Sequence, residues 1–396
     1  MKQTKISDRI YYVGTNDRKK SLFENNWPLP NGISYNSYLI ADLKSALIDT
    51  LEYGSKSDYI ITIKEILKGK SLDYLIINHL EPDHASMISE VINCYPDVKI
   101  VANKQCMRLL SSYYTISENQ LLEIKEGDVL DLGYHKLSFI MIPWVHWPET
   151  MITYDATERI LFTCDAFGSF GTLDGGIFDD EVNFERYYED EMRRYYSNII
   201  GKYSNFVQRA FEKLSVVPIK MICPSHGVIW KEDIEKVMSL YKKWSYNKSE
   251  KGVVIAYASM YGNTEKMADY LARCIAEEGI KNIKIFDVSK THPSYIISEI
   301  WRYEGLILGT CAYNGEMHPQ MGLLCNELLI CAPKNKKFAI FGSSTWNGAG
   351  VKALISFAQK SEWQPVIEPV QILGAATNEK MTELKQLAIK IAKQIK

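Results

Sequence analysis

The residues best suited to chemistry sit in one short run, Ile76-Ile77-Asn78-His79-Leu80-Glu81-Pro82-Asp83-His84. An apolar strand ends there and delivers two imidazoles and two carboxylates within six positions. Side chains alternate along an extended chain, so His79, Glu81 and Asp83 are expected to converge, with His84 turning toward a second centre. The chain has only seven histidines, and two stand here beside two acids. That favours metal ligation over an incidental polar turn. Three further strand ends repeat the device: His146 in Pro143-Trp144-Val145-His146-Trp147-Pro148-Glu149, Asp165 in Leu161-Phe162-Thr163-Cys164-Asp165-Ala166, and His226 in Cys223-Pro224-Ser225-His226-Gly227. Seven ligand candidates exceed what one structural zinc needs. The arrangement is the one an αββα metal hydrolase-type sandwich would produce.

A second cluster begins at Ala258-Ser259-Met260-Tyr261-Gly262-Asn263-Thr264-Glu265. A hydroxyl-rich loop running straight into a helix presents amide N–H groups and a positive dipole end to a phosphate. This loop contains no Gly-Lys-Ser/Thr, so it offers no lysine to a nucleoside triphosphate. Hydroxyls and amides alone suit one terminal phosphomonoester, with Ser259, Met260, Tyr261, Gly262, Asn263 and Thr264 as the cradle. Two later strand ends supply aromatics among small polar residues. One contributes Thr310, Tyr313, Asn314 and Gly315; the other contributes Ser343, Ser344, Thr345, Trp346, Asn347 and Gly348. Ligands of a doubly wound sheet sit at the carboxyl ends of its strands. Tyr313 and Trp346 are therefore placed to stack on a flat ring system.

The elements that must position these groups fall into two halves. Residues 1 to about 248 alternate short β-like runs (Tyr38 to Ile40, Ala46 to Ile48, Tyr74 to Ile77, Lys99 to Val101, Leu137 to Ile142) with helical periods over Tyr59 to Leu67 and Glu181 to Phe211. Residues 239 to 251 read as a polar passage without apolar period, and the domain boundary is placed there. From Gly252 onward five short strands alternate with helices, which predicts a parallel doubly wound sheet over 252 to 396.

Composition bounds the function. At 396 residues, with 46% apolar and 24% charged residues, the chain is ordinary globular material for two or three domains. Forty-six basic against 48 acidic residues leave a net charge of −2, which argues against nucleic acid as a partner. No apolar run approaches the ~18 residues that span a bilayer, and the start, from Met1 to Val13, is too polar for a signal peptide. Eight cysteines without a Cys-x-x-Cys pair exclude a disulfide framework and a rubredoxin-like module within the chain. A soluble cytoplasmic protein with no membrane partner is expected.

The metal motif resembles the His-x-His-x-Asp-His signature of the metallo-β-lactamase superfamily, with Glu81 in place of the second histidine. An added carboxylate makes the site harder and more anionic, favouring iron over zinc. His-x-Glu-x-Asp-His is the variant of the flavodiiron proteins (A-type flavoproteins), and the second half looks like flavodoxin. The resemblance spans the whole chain in that family's domain order. It implies a metallo-β-lactamase-like αββα sandwich followed by a flavodoxin-like doubly wound sheet, with FMN and two non-haem irons as cofactors. His79, Glu81 and His146 would hold one iron, Asp83, His84 and His226 the other, and Asp165 would bridge. Arg193-Arg194-Tyr195-Tyr196 matches a stretch lining the diiron pocket, with Tyr195 as proton donor. One departure is Glu24 after Phe23, where several relatives carry histidine near the metals.

Function follows from the same resemblance: reduction of dioxygen to water, of nitric oxide to nitrous oxide, or of both. Electrons would come from a separate rubredoxin, another reductase or a reduced deazaflavin. A head-to-tail homodimer, able to pair into a dimer of dimers, would set one subunit's flavin beside the other's irons. The competing readings are a zinc-dependent metallo-β-lactamase-type hydrolase fused to a flavodoxin, and an FMN electron shuttle with a structural metal. Glu81 and the number of ligands speak against them.

Overall fold

Short apolar strands in the first half pair into two mixed sheets. The computed structural model describes residues 4–395; residues 1–3 and 396, at the outer ends of the two expected domains, lie outside the described residues. One sheet has seven strands in the order Thr4–Lys5, Ile10–Tyr12, Tyr38–Ala41, Ser45–Ile48, Tyr74–Ile76, Lys99–Asn103 and Leu121–Ile124. The other has five: Val129–Asp131, Lys136–Met141, Met151–Asp155, Ile160–Cys164 and Met221–Pro224. Their inner faces share one apolar core, in which Ile40, Ile48, Ile76 and Val101 of the first sheet meet Phe139, Met151, Phe162 and Cys223 of the second. Tyr38 and Phe162 touch across it, ring centroids 5.3 Å apart. Helices Tyr59–Leu67, Ile88–Cys94 and Lys104–Tyr113 accompany the first sheet. Val207, Phe211 and Leu214 of the helix Ser204–Leu214, with Tyr241 of Ile234–Ser245, pack on Ile142 and Ile152 at the second. The result is an αββα sandwich.

The second half builds a parallel sheet in the order Ile283–Asp287, Glu250–Ala258, Tyr303–Tyr313, Lys337–Ser344 and Val370–Leu373. This 2-1-3-4-5 order is the flavodoxin-like doubly wound arrangement, with its switch point between Glu250–Ala258 and Tyr303–Tyr313. A small antiparallel addition, Glu316–Met317, pairs with the end of Tyr303–Tyr313. Contact between Gly309 and the Phe341 ring fixes two central strands: a Cβ at Gly309 would strike that ring. Among the described residues no helix is long and apolar enough to cross a membrane.

Two local expectations change. The helical period over Glu181 to Phe211 is not one helix: short helices Phe184–Tyr187 and Glu189–Tyr195 give way to a π-turn, Tyr196–Ile200, and a 3-10 turn, Gly201–Tyr203, before Ser204–Leu214. The polar passage 239 to 251 is helical to Ser245, because Tyr241 and Trp244 are buried among its lysines. The helix Ala349–Lys360, one of those expected between strands, follows Gly348 (φ 64°) without a side-chain cap. The chain divides into two compact units. The first runs up to Tyr196 and resumes over Tyr203–Lys242; the second takes Ser197–Lys202 and everything from Lys243. Within the second, Asn198 Nδ2 donates to the Ser294 carbonyl at 3.1 Å, and Gly201 lies close against Trp301.

Candidate metal centre and flavin site

Each metal-ligand candidate leaves the end of a strand or the turn after it. Pro82 starts a helical turn, Pro82–Ala85, immediately after Glu81. The run is therefore extended only as far as Glu81, and Asp83 parts company from His79 and Glu81. Two groups result: His79, Glu81, His146 and Asp165, and beside them Asp83, His84 and His226. All seven side chains are buried.

Glu81 Oε2 lies 3.2 Å from His79 Nε2 and 3.0 Å from His146 Nε2. In the second group, Asp83 Oδ1 is 3.3 Å from His84 Nε2 and Oδ2 is 3.2 Å from His226 Nε2. Asp165 serves both groups. Its Oδ2 is 3.3 Å from His79 Nε2 and 3.2 Å from His146 Nε2, while Oδ1 is 2.8 Å from His84 Nε2 and 3.5 Å from His226 Nε2. Each group thus offers two imidazole nitrogens, one carboxylate and a share of Asp165.

A pair of cations fits these residues. Both oxygens of Asp83, Oδ2 of Asp165 and Nε2 of His226 are buried without a hydrogen-bond partner among the described residues, although they lie close to one another. Orphaned buried groups of this kind cost free energy unless a common partner sits between them. The protonation pattern agrees. Burial alone would lower His226, yet Asp165 and Asp83 push it up to about 10; Asp165 and Glu81 likewise raise His146 to about 9. Burial opposes ionisation of Asp165, but His84, His146 and His226 hold it well below the usual carboxylate range. Protons on these imidazoles stand where metal cations would relieve the same carboxylates.

The ring nitrogens facing away are held too. His79 Nδ1 is 2.8 Å from Glu149 Oε1, which also accepts from Leu80 N at 3.0 Å. His226 Nδ1 donates to the Ser34 carbonyl at 2.7 Å. Gly227 (φ 75°) must be glycine, since a Cβ there would run into Ser169 Oγ. Aromatic rings wall the pocket: Phe23 and Tyr195 stand 5.5 and 5.6 Å from His226, and Trp147 stands 5.1 Å from His79. Tyr195 is buried, and burial with the charges of Asp165, Asp83 and Glu81 pushes its hydroxyl well above the ordinary phenol value, so it keeps its proton. Glu24 is exposed at a hairpin tip, but its carboxyl reaches inward; partial burial and then Glu81 push it up to about 8.

Sequence reasoning missed three residues of this shell. Glu149, Ser34 and Asp49 bind through positions that no short motif marks. Asp49 accepts from Asn78 N at 2.8 Å and Nδ2 at 3.2 Å, and burial pushes its carboxyl up to about 6.

In the second unit a cavity of about 340 Å³ opens at the carboxyl ends of the strands. Of the sequence-derived candidates, Ser259, Met260, Tyr261, Asn263, Thr264, Tyr313, Asn314, Gly315, Ser343, Ser344, Thr345, Trp346 and Asn347 line it. Thr310, Gly262 and Gly348 do not. Thr310 is buried, its Oγ1 donating to Cys311 O and accepting from His318 N. Gly262 and Gly348 begin helices with φ of 87° and 64°. Cys311, Ala312 and Gly374 line the cavity without having been singled out. The lining carries no charged side chain, and the helix Asn263–Glu277 starts there without a side-chain cap. Its first amides are therefore available to a phosphate. Tyr261 is 90% and Trp346 76% exposed, unusual for such rings and suited to a flat ligand.

Comparison with known proteins bears on both sites. The family description "ODP family beta lactamase" matches residues 33–227, and "Flavodoxin" matches 255–377. An anaerobic nitric oxide reductase flavorubredoxin of Escherichia coli is 32% identical over 375 residues, covering 91% of this chain and 78% of that protein. The solved structure of rubredoxin oxygen:oxidoreductase from Desulfovibrio gigas superimposes with a TM-score of 0.95 at 30% identity, covering 100% of this chain and 98% of the other. A flavo di-iron protein variant from Thermotoga maritima gives 0.91 at 28% identity, covering 100% and 98%.

Proposed function

The chain belongs to the flavodiiron proteins, oxidoreductases that couple FMN to a non-haem diiron site, and on that premise we propose how its own residues divide the work. His79, Glu81 and His146 would hold one iron and Asp83, His84 and His226 the other, with Asp165 serving both. The observation that carries this assignment is the pair of adjoining ligand groups meeting on the two oxygens of Asp165. When bound, reduced FMN supplies electrons, and the irons supply a centre at which dioxygen is reduced to water or nitric oxide to nitrous oxide. Tyr195 keeps a proton at its hydroxyl beside Asp165, within reach of a developing anion. Phe23, Phe170 and Trp147 keep bulk water from the ligands. Glu149 and the Ser34 carbonyl fix the ring orientation of His79 and His226.

In the second unit, Ser259, Asn263 and Thr264 with the helix amides bind the FMN phosphate, and Tyr313 and Trp346 flank its ring. The protein works as a head-to-tail homodimer, in which one subunit's flavin serves the other's irons, fed by a rubredoxin, a reductase or a reduced deazaflavin. The eight unpaired cysteines favour a reducing, cytoplasmic setting. A zinc hydrolase is disfavoured by Glu81, a carboxylate where softer sites use imidazole.

The test has two arms. Elemental and flavin analysis of the purified protein should give about two irons and one FMN per chain, with little zinc. Anaerobic stopped-flow of the reduced protein against each gas then shows which is consumed. Zinc in both positions with undiminished activity sinks the assignment.

A further inference from the structure

The two ligand groups are matched in type, since each has two imidazoles, one carboxylate and one oxygen of Asp165. What lies behind one histidine of each is not matched. His79 Nδ1 faces a carboxylate, Glu149 Oε1, at 2.8 Å, whereas His226 Nδ1 faces a neutral carbonyl, Ser34 O, at 2.7 Å. Glu149 is 1% exposed, and its other oxygen, Oε2, has no partner among the described residues. Its charge is therefore unscreened by solvent and aimed along the His79 ring. The other buried carboxylate nearby, Asp49, spends its oxygens on Asn78 N and Nδ2. A carboxylate on the outer nitrogen of a ligating histidine makes the inner nitrogen a stronger donor and favours the more highly charged metal ion. A backbone carbonyl does so less.

We propose that Glu149 is a positioning residue that makes the two irons unequal: through His79 it holds the iron of the Glu81 group in the ferric state longer than its neighbour. This rests on the assignment of His79 as an iron ligand. Two one-electron transfers, from reduced FMN in turnover or from a chemical titrant in the test, would convert a diferric to a diferrous pair, with no bond broken in either. The first electron would go to the iron held by Asp83, His84 and His226, and the second, at lower potential, to the iron held by His79, Glu81 and His146. The protein thus has a preferred half-reduced form with a defined distribution of charge.

Glu149→Gln tests this, because an amide oxygen can still accept from His79 Nδ1 and Leu80 N while the charge is gone. Iron is counted first, and then a redox titration is followed by the EPR signal of the half-reduced pair. Two irons per chain, with the lower step raised so that the steps separate about tenfold less in equilibrium constant (about 59 mV for one electron), is the expected result. Two irons with the lower step unmoved, or with the upper step moving instead, overturns the proposal. Wild-type protein that holds no iron overturns the underlying assignment instead. Should Glu149→Gln fail to hold two irons, Glu149→Asp is titrated; it keeps the charge but withdraws it by one methylene. The lower step should then rise by a smaller amount, and an unmoved step counts against the proposal as before.

Discussion

Asp165 Oδ1 lies 2.8 Å from His84 Nε2, and the two residues follow strands of different sheets of one sandwich. The other oxygen of Asp165 faces His79 and His146. Asp165→Ala should therefore lose both irons and all gas reduction. FMN content should stay at one per chain, because none of the residues lining the flavin cavity belongs to the first unit. Metal and flavin analysis with gas-consumption rates checks this; near-normal turnover in the variant would show that Asp165 is no ligand.

Electron flow between subunits can be tested by complementation. His79→Ala removes a ligand, and Asn263→Asp/Thr264→Asp sets negative charge where the FMN phosphate binds. Each homodimer should be inactive. A mixed dimer keeps one intact iron site and one intact flavin site on opposite chains, and should recover turnover up to half that of wild type. Verified mixed dimers that carry both cofactors and stay inactive would place transfer within one chain.

Packing in the parallel sheet gives a stability prediction. Gly309→Ala puts a Cβ into the Phe341 ring, which is itself fully buried between strands and helices. Overpacking of this sort costs about 1–3 kcal/mol. The flavodoxin-like unit should melt earlier by calorimetry while the metal content is unchanged; equal melting temperatures would refute the contact.

Lys336 supplies a pH dependence. Its Nζ donates to Ser249 Oγ and the Tyr303 carbonyl, both at 2.8 Å, and burial pushes the ammonium down to about 7 against a weak pull from Glu304. The ordinary lysine value is 10.5. Below pH 7 both folded and unfolded chains carry this proton, and the cost of burying the charge is full. Between pH 7 and 10.5 the unfolded chain holds more protons, so stability rises with pH. Calorimetric melting of wild type relative to Lys336→Met should show that rise, and a constant difference across the range would rule it out.

Much of this was legible in the chain. His79, Glu81, His146, Asp165 and His226 stand at or just after strand ends, where an apolar run stops at a polar side chain, and that signal is local. Asp83 was grouped by alternation with His79 and Glu81; Pro82 turns the backbone helical and sends it to the other set. Glu149, Ser34 and Asp49 could not be found in this way, because each acts through a partner distant in sequence, Ser34 through a backbone carbonyl within the strand Ile33–Tyr35 that no side-chain pattern marks. The break at Tyr196–Ile200 was hidden for a related reason. The apolar period continues through it, while Ser197–Lys202 packs with the second unit.

The distribution of the candidate ligands over two sheets means that the chain would assemble a metal pocket late in its synthesis. His79, Glu81, Asp83 and His84 follow the strand Tyr74–Ile76, but Asp165 and His226 follow Ile160–Cys164 and Met221–Pro224 of the opposite sheet. During synthesis, the first four ligands leave the ribosome on the order of ten seconds before His226 does. Through that interval they form an acidic, imidazole-rich stub that can bind only weakly whatever cation is abundant. Both candidate groups are complete only when His226 has emerged and the second sheet has closed. A metal pair held by all seven side chains would therefore be loaded into a nearly finished first domain.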